Sequence, residues 1–226
     1  VHDGDCIQLG FGGIPNAIGF ELMNRHDLGI HTEQIGASMA HMIQSGVVTN
    51  RYKNLDRGWS VGAFIIADNF TYNYVNNHPR IMMRRGRYTN DPMIIAQQDN
   101  MVSINAALQI DLTGQVAAEA IGTVQWSGTG GATDYAYGAY HSRGGRAMLC
   151  QISTAKKGTV SRIAPILDPG SIVSVSRNLT DMVITEYGVA KLRQRTVKQR
   201  VENLIAVAHP DFRAELRKEA NKYMYF

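Results

Sequence analysis

Cysteine is nearly absent from this chain: Cys6 and Cys150 are the two in 226 residues. A pair so far apart makes neither a disulfide framework nor a metal-ligand spacing. Their apolar, strand-like surroundings read as buried thiols suited to a reducing compartment. No apolar run approaches membrane-spanning length, and the first residues lack the basic-then-apolar build of a signal peptide, so the expectation is a cytoplasmic protein with no membrane partner. No Gly-x-Ser-x-Gly elbow is present, which argues against a serine hydrolase of that type. None of His31, His41, His78, His141 and His209 has a second His or Cys at i, i+4, so no metal is expected. Charge is also thin: the net value is +4, and Lys and Arg are scattered. The longest basic cluster, Met83-Arg-Arg-Gly-Arg87, reads as a solvated loop, too little to argue for nucleic acid.

Against these absences stands an ordinary globular composition, 44% hydrophobic and 19% charged, long enough for one large domain or two small ones. The chain starts at Val1 and is inside a strand-like segment by Cys6, which reads as a processed chain or an excised part of a longer one. Short β-like runs alternate with helix-like segments: "DCIQLGF", "LGIHT", "WSVGAFIIA", "MVSINAALQIDL", "GQVAAEAI", "RAMLCQIS", "SIVSVS" and "MVITEYGVA" as strands. Helices are predicted after Pro15, over "SMAHMIQSG", "NFTYNYVNNHP", "YAYGAYHSR" and "TVKQRVENLIAVA", and over the charged amphipathic "HPDFRAELRKEANKYM" with Pro210 at its start. The alternation predicts an α/β fold with a mostly parallel sheet flanked by helices. There is no convincing internal repeat, low-complexity tract or linker.

Two glycine-rich turns stand out. Gly10-Phe11-Gly12-Gly13 follows a strand and opens a helix. A plain tight turn explains it at least as well as an anion cradle, and Pro15 stands where a dinucleotide fingerprint needs its third glycine. Gly128-Thr129-Gly130-Gly131 precedes a helix start at Asp134-Tyr135, and its free backbone N–H groups suit a developing negative charge or a flexible loop. Three glutamates, Glu33, Glu119 and Glu186, interrupt apolar or small-residue contexts. No spacing rule selects among them, and a helix-start carboxylate is the plain reading of Glu33.

Eight segments then occur in a telling order: "LGIHTE", "SGVVTN", "YTNDP", "DNMVSINAALQIDLTGQV", "SGTGGATDY", "STAKKGTVSRI", "VITEYGVAKLR" and "AHPDFRAEL". Together they resemble the C-terminal half of the acetyl-CoA hydrolase/transferase family, in its 4-hydroxybutyrate and butyrate–acetate CoA-transferase branch, from Gly4 to Ala220. The resemblance implies a CoA-transferase-like domain over residues 1–226, the second of two related α/β domains, with the N-terminal domain absent. It implies transfer of CoA between an acyl-CoA and a short-chain carboxylate, with Glu33 as the covalent nucleophile carrying a glutamyl-CoA thioester. Asn90 and Gly131 would stabilise the oxyanion, while Gly128, Gly130 and Glu186 would line the CoA and substrate site.

On the same resemblance, the CoA thioester is a substrate, no cofactor is tightly bound, and the family precedent leaves room for a homodimer. Two alternatives stay open: an acyl-CoA hydrolase using the same site, and an inert fragment that acts only within the full-length protein. The chain departs from the family's commonest form at Gln34-Ile35-Gly36-Ala37, after the nucleophile, and at Lys157, which replaces a glycine. Both departures bear on acyl preference.

Overall fold

The computed structural model describes residues 1–223. They fall into two compact units, one made of residues 1–105 and 134–147, the other of 106–133 and 148–223.

In the first unit, β1 (Cys6–Leu9) pairs in parallel with β2 (Gly29–Ile30) on one side. On its other side it pairs with β7 (Met101–Ala106), also in parallel. Two smaller parallel pairs lie between them in sequence: β3 (Gln34–Ile35) with β5 (Phe64–Ile65), and β4 (Ser60–Gly62) with β6 (Ile81–Met83). Parallel neighbours need crossovers, which α1 (Gly13–Glu21), α2 (Ala37–Gln44) and α3 (Asn69–Val75) supply. Ile7, Ile30, Ile35, Val61 and Met101 are fully enclosed, as expected of strands whose side chains meet helices or other strands on both faces.

Three further helices complete this unit: α4 (Gly86–Thr89), α5 (Pro92–Ile95) and α6 (Ala132–His141). Gly138 lets α6 lie directly on α5, since a Cβ there would collide with the Ile95 side chain. Gly62 does the same for β4, where a Cβ would stand 2.7 Å from Ile35 Cγ1.

The second unit starts with β8 (Gln109–Asp111), which pairs antiparallel with β9 (Val116–Ala117). The short hairpin β10 (Ala120–Ile121) and β11 (Val124–Gln125) follows. Next, β12 (Arg146–Cys150) runs parallel to β16 (Met182–Thr185), which turns back on β17 (Gly188–Lys191). Between them lie the hairpin β13 (Thr154–Ala155) with β14 (Val160–Ser161), and β15 (Ile163–Ala164), which runs parallel to β8. The helix α7 (Val197–Val207) opens on a capping box in which Thr196 and Gln199 satisfy each other's backbone N–H groups. It buries Val201, Leu204 and Ile205, and α8 (Pro210–Lys222) buries Leu216 and Ala220.

The α/β reading and its mostly parallel strands hold. Several segments differ in detail. "WSVGAFIIA" breaks into β4 and β5, and Ile66 beyond them is exposed. "SIVSVS" forms no strand; Val175 alone bridges to Val116. "MVITEYGVA" is the hairpin of β16 and β17, closed at Glu186-Tyr187. The helix predicted to run to Met224 is described as far as Lys222, and Met224 lies outside the described residues. Cys6 and Cys150 are buried free thiols, and burial pushes both up to about 11. No helix among the described residues is long and apolar enough to cross a membrane.

Candidate active site

Glu33 sits where the chain changes partners. His31 N–H still donates to Ile7 of β1 at 3.2 Å, but Thr32 N–H already donates to Val61 of β4 at 3.0 Å. The Glu33 carbonyl then accepts from both Ala63 and Phe64, at 2.8 and 3.1 Å. Thr32 Oγ1 donates to the Gln34 carbonyl at 3.0 Å and tightens the corner. Beneath it the buried Lys53 ammonium donates to Ile30 O at 2.9 Å and Trp59 O at 2.7 Å, pinning the end of β2. The backbone around Glu33 is therefore fixed on both sides, while its side chain is half-buried. The helix-start reading of Glu33 fails: α2 is capped by Gly36 and has no acidic residue in its first turn.

The side chain that meets Glu33 comes from the break between α4 and α5. Pro92 disfavours helical backbone at the preceding residue, and Asp91 is extended, at φ −69° and ψ 114°. Asn90, the residue that caps the end of α4, donates from Nδ2 to Glu33 Oε1 at 2.9 Å. Its Oδ1 accepts from Thr89 Oγ1 at 2.9 Å, which orients the amide.

Asp134, in the first turn of α6, also belongs here. Burial raises its pKa, the neighbouring Glu33 charge adds to that, and a hydrogen bond from Asn90 works against it. Sequence reasoning missed Asp134, although it was visible as an acid directly after the second glycine turn.

In the same unit a cavity of about 320 Å³ is walled by the Gly10–Gly13 turn, Gln34 and the start of α2. Gly12 caps α1 at φ +119° without any side-chain hydrogen bond. Gln34, one of the departures after the nucleophile, donates from Nε2 to Ile66 O at 2.8 Å.

The remaining sequence candidates lie in the second unit. Gly128 and Gly130 are exposed in the loop before α6, and Gly131 is buried. Glu186, in the β16–β17 turn, is held on both oxygens by Ser153, from N–H at 2.9 Å and from Oγ at 2.6 Å. Burial opposes its charge, but these hydrogen bonds and His209 outweigh it and leave the carboxyl below its usual range. Among the described residues, no group of three or more His, Cys, Asp or Glu side chains is placed to hold a metal ion.

A half-buried carboxylate where the chain passes from one strand pair to the next, met by an amide from a helix break, marks the candidate site of this α/β protein. The sequence profile of the acetyl-CoA hydrolase/transferase C-terminal domain matches residues 68–220. A succinyl-CoA:cyclohexane-1-carboxylate CoA transferase of Geobacter metallireducens is 47% identical over 98% of this chain and 51% of its own length. A 4-hydroxybutyrate coenzyme A transferase of Clostridium kluyveri is 45% identical over 98% of this chain and 52% of its own. The crystal structure of RipA from Yersinia pestis superposes with a TM-score of 0.96 at 46% identity, covering 100% of this chain and 51% of RipA. The chain belongs to the acetyl-CoA hydrolase/transferase family. It spans about half the length of the curated relatives it matches.

Proposed function

We propose that this chain is the nucleophile-bearing domain of a CoA-transferase, the second of two domains, acting within the longer protein on an acyl-CoA and a short-chain carboxylate. The observation that carries the reading is the hydrogen bond from Asn90 to the half-buried Glu33 carboxylate. Ionised Glu33 attacks the acyl-CoA carbonyl, and the C–S bond breaks to give a glutamyl–acyl anhydride and CoA thiolate. The thiolate attacks the glutamyl carbonyl, releasing the carboxylate and leaving a glutamyl-CoA thioester. An incoming carboxylate reverses both steps and departs as the new acyl-CoA.

Each attack builds an oxyanion, and the Asn90 amide is the donor already aimed at the reacting carboxylate. The family resemblance assigns a second donor to the Gly131 N–H, and a lining role to Gly128, Gly130 and Glu186. The reaction needs no tightly bound cofactor, because the glutamate stands in for the acceptor carboxylate. The buried thiols favour a cytoplasmic enzyme, and the family precedent leaves room for a homodimer, which light scattering reads directly.

The test is to incubate the full-length protein with an acyl-CoA, reduce with borohydride, and sequence the peptides by mass spectrometry. Conversion of Glu33 to the corresponding alcohol supports the reading; an active enzyme with Glu33 untouched rejects it. Running the assay with and without acetate separates transfer from hydrolysis. The isolated chain, run alongside, shows whether the other half is required.

A further inference from the structure

Thr89 ends α4, and a helix leaves its last carbonyls without intrahelical partners. Pro92 makes that loss permanent here. The Met93 N–H, which would meet Thr89 O in an uninterrupted helix, donates instead to Asp91 Oδ1 at 2.8 Å. Thr89 is wholly enclosed, so its carbonyl needs donors from elsewhere. It finds two: Tyr135 Oη at 2.8 Å, from α6, and His31 Nε2 at 3.0 Å, from the strand end two residues before Glu33.

These two donors have defined protonation. A carbonyl oxygen only accepts, so Nε2 of His31 carries the proton. Nδ1 is then a bare lone pair, enclosed with no hydrogen-bond partner among the described residues. A second proton would put an unmatched N–H and a charge in that enclosure. Burial, and then the Lys53 charge, push His31 down to about 4, although the Thr89 carbonyl and Asp56 act the other way. Burial, reinforced by Glu33, holds the Tyr135 hydroxyl protonated far above its ordinary range. Both groups are neutral donors throughout the neutral pH range.

The gripped residue is also the one that orients the amide, since Thr89 Oγ1 donates to Asn90 Oδ1. We propose that His31 and Tyr135 are positioning residues that grip the Thr89 carbonyl from two elements and thereby hold the Asn90 amide on Glu33. The assignment rests on Glu33 being the nucleophile and Asn90 an oxyanion donor.

The test uses the full-length protein and three variants. Tyr135→Phe keeps the ring and loses the hydroxyl, His31→Gln keeps an N–H donor, and His31→Leu keeps none. Tyr135→Phe is expected to lower kcat about tenfold with KM for acyl-CoA within about twofold, the pattern of a misplaced group rather than lost substrate binding. Borohydride-trapped thioester at Glu33 should form slower by the same factor. His31→Gln should recover much of what His31→Leu loses, with folded fractions checked by thermal melting.

Unchanged kcat in Tyr135→Phe overturns the proposal, and so does equal loss in both His31 variants. A wild type that traps nothing on Glu33 refutes the nucleophile assignment instead. In that case ¹⁵N NMR still reads the grip: His31 should be the neutral Nε2–H tautomer at pH 7, and Tyr135→Phe should shift the Asn90 side-chain amide signals. Asn90 signals that stay put overturn it.

Discussion

Glu33 and Glu186 are both glutamates at strand ends, and their surroundings differ in kind. Glu186 stands in an exposed hairpin turn with each oxygen taken by one serine, and its charge is stabilised. Glu33 stands half-buried, addressed by an amide, close enough to Asp134 for the two charges to oppose each other. A carboxylate steadied by a hydroxyl and a backbone N–H suits anchoring. One placed beside a like charge carries a repulsion that attack on a carbonyl would relieve, which fits the nucleophile role proposed for Glu33. Residue type alone does not separate the two proposed roles.

The sharpest way to break the comparison is Glu33→Gln in the full-length protein. Acyl transfer should fall by roughly 10⁴-fold or more, as for loss of a covalent nucleophile, while Glu186→Gln should cost far less. Steady-state transfer to acetate measures both, and comparable losses would erase the distinction. Next comes Asn90→Ala, for which kcat should fall about 10²- to 10³-fold, or about 3 kcal/mol, with a small change in KM. A rise in KM alone would make Asn90 a binding group.

The third concerns stability rather than rate. His31 is depressed from 6.5 in the unfolded chain to about 4 in the fold. Between those values the unfolded chain binds the extra proton, so stability is full above pH 6.5 and falls as the pH drops toward 4. The shift corresponds to roughly 3 kcal/mol. Urea melts across this range should show the slope in the wild type and lose that contribution in His31→Gln. The smallest effect is Ser153→Ala, which should raise the Glu186 pKa toward its ordinary value with little change in kcat. An NMR titration of Glu186 checks it, and an unmoved value would remove the contrast with Glu33.

Much of this was legible beforehand, for identifiable reasons. The Pro210 start is a local signal, and α8 follows it, as α7 follows the helix read over "TVKQRVENLIAVA"; the capping box that opens α7 went unread. Glu33 and Asn90 were legible through motif resemblance, and they meet in the fold. Continuous apolar runs misled: "WSVGAFIIA" carries no mark of where one strand stops and the next begins. The β16–β17 turn lacks an Asn-Gly or Asp-Gly signal; Gly188, at φ +132°, follows the turn instead of occupying it. The grip on Thr89 was not legible, because it joins His31, Thr89 and Tyr135 across 58 and 46 positions of sequence.

The contact between α5 and α6 has an evolutionary side. Gly138 touches the Ile95 side chain so closely that even one added methyl displaces it. The helix so displaced begins two residues after Asn90. A side chain larger than hydrogen at position 138 therefore calls for a smaller one at position 95, so the two positions are expected to vary together.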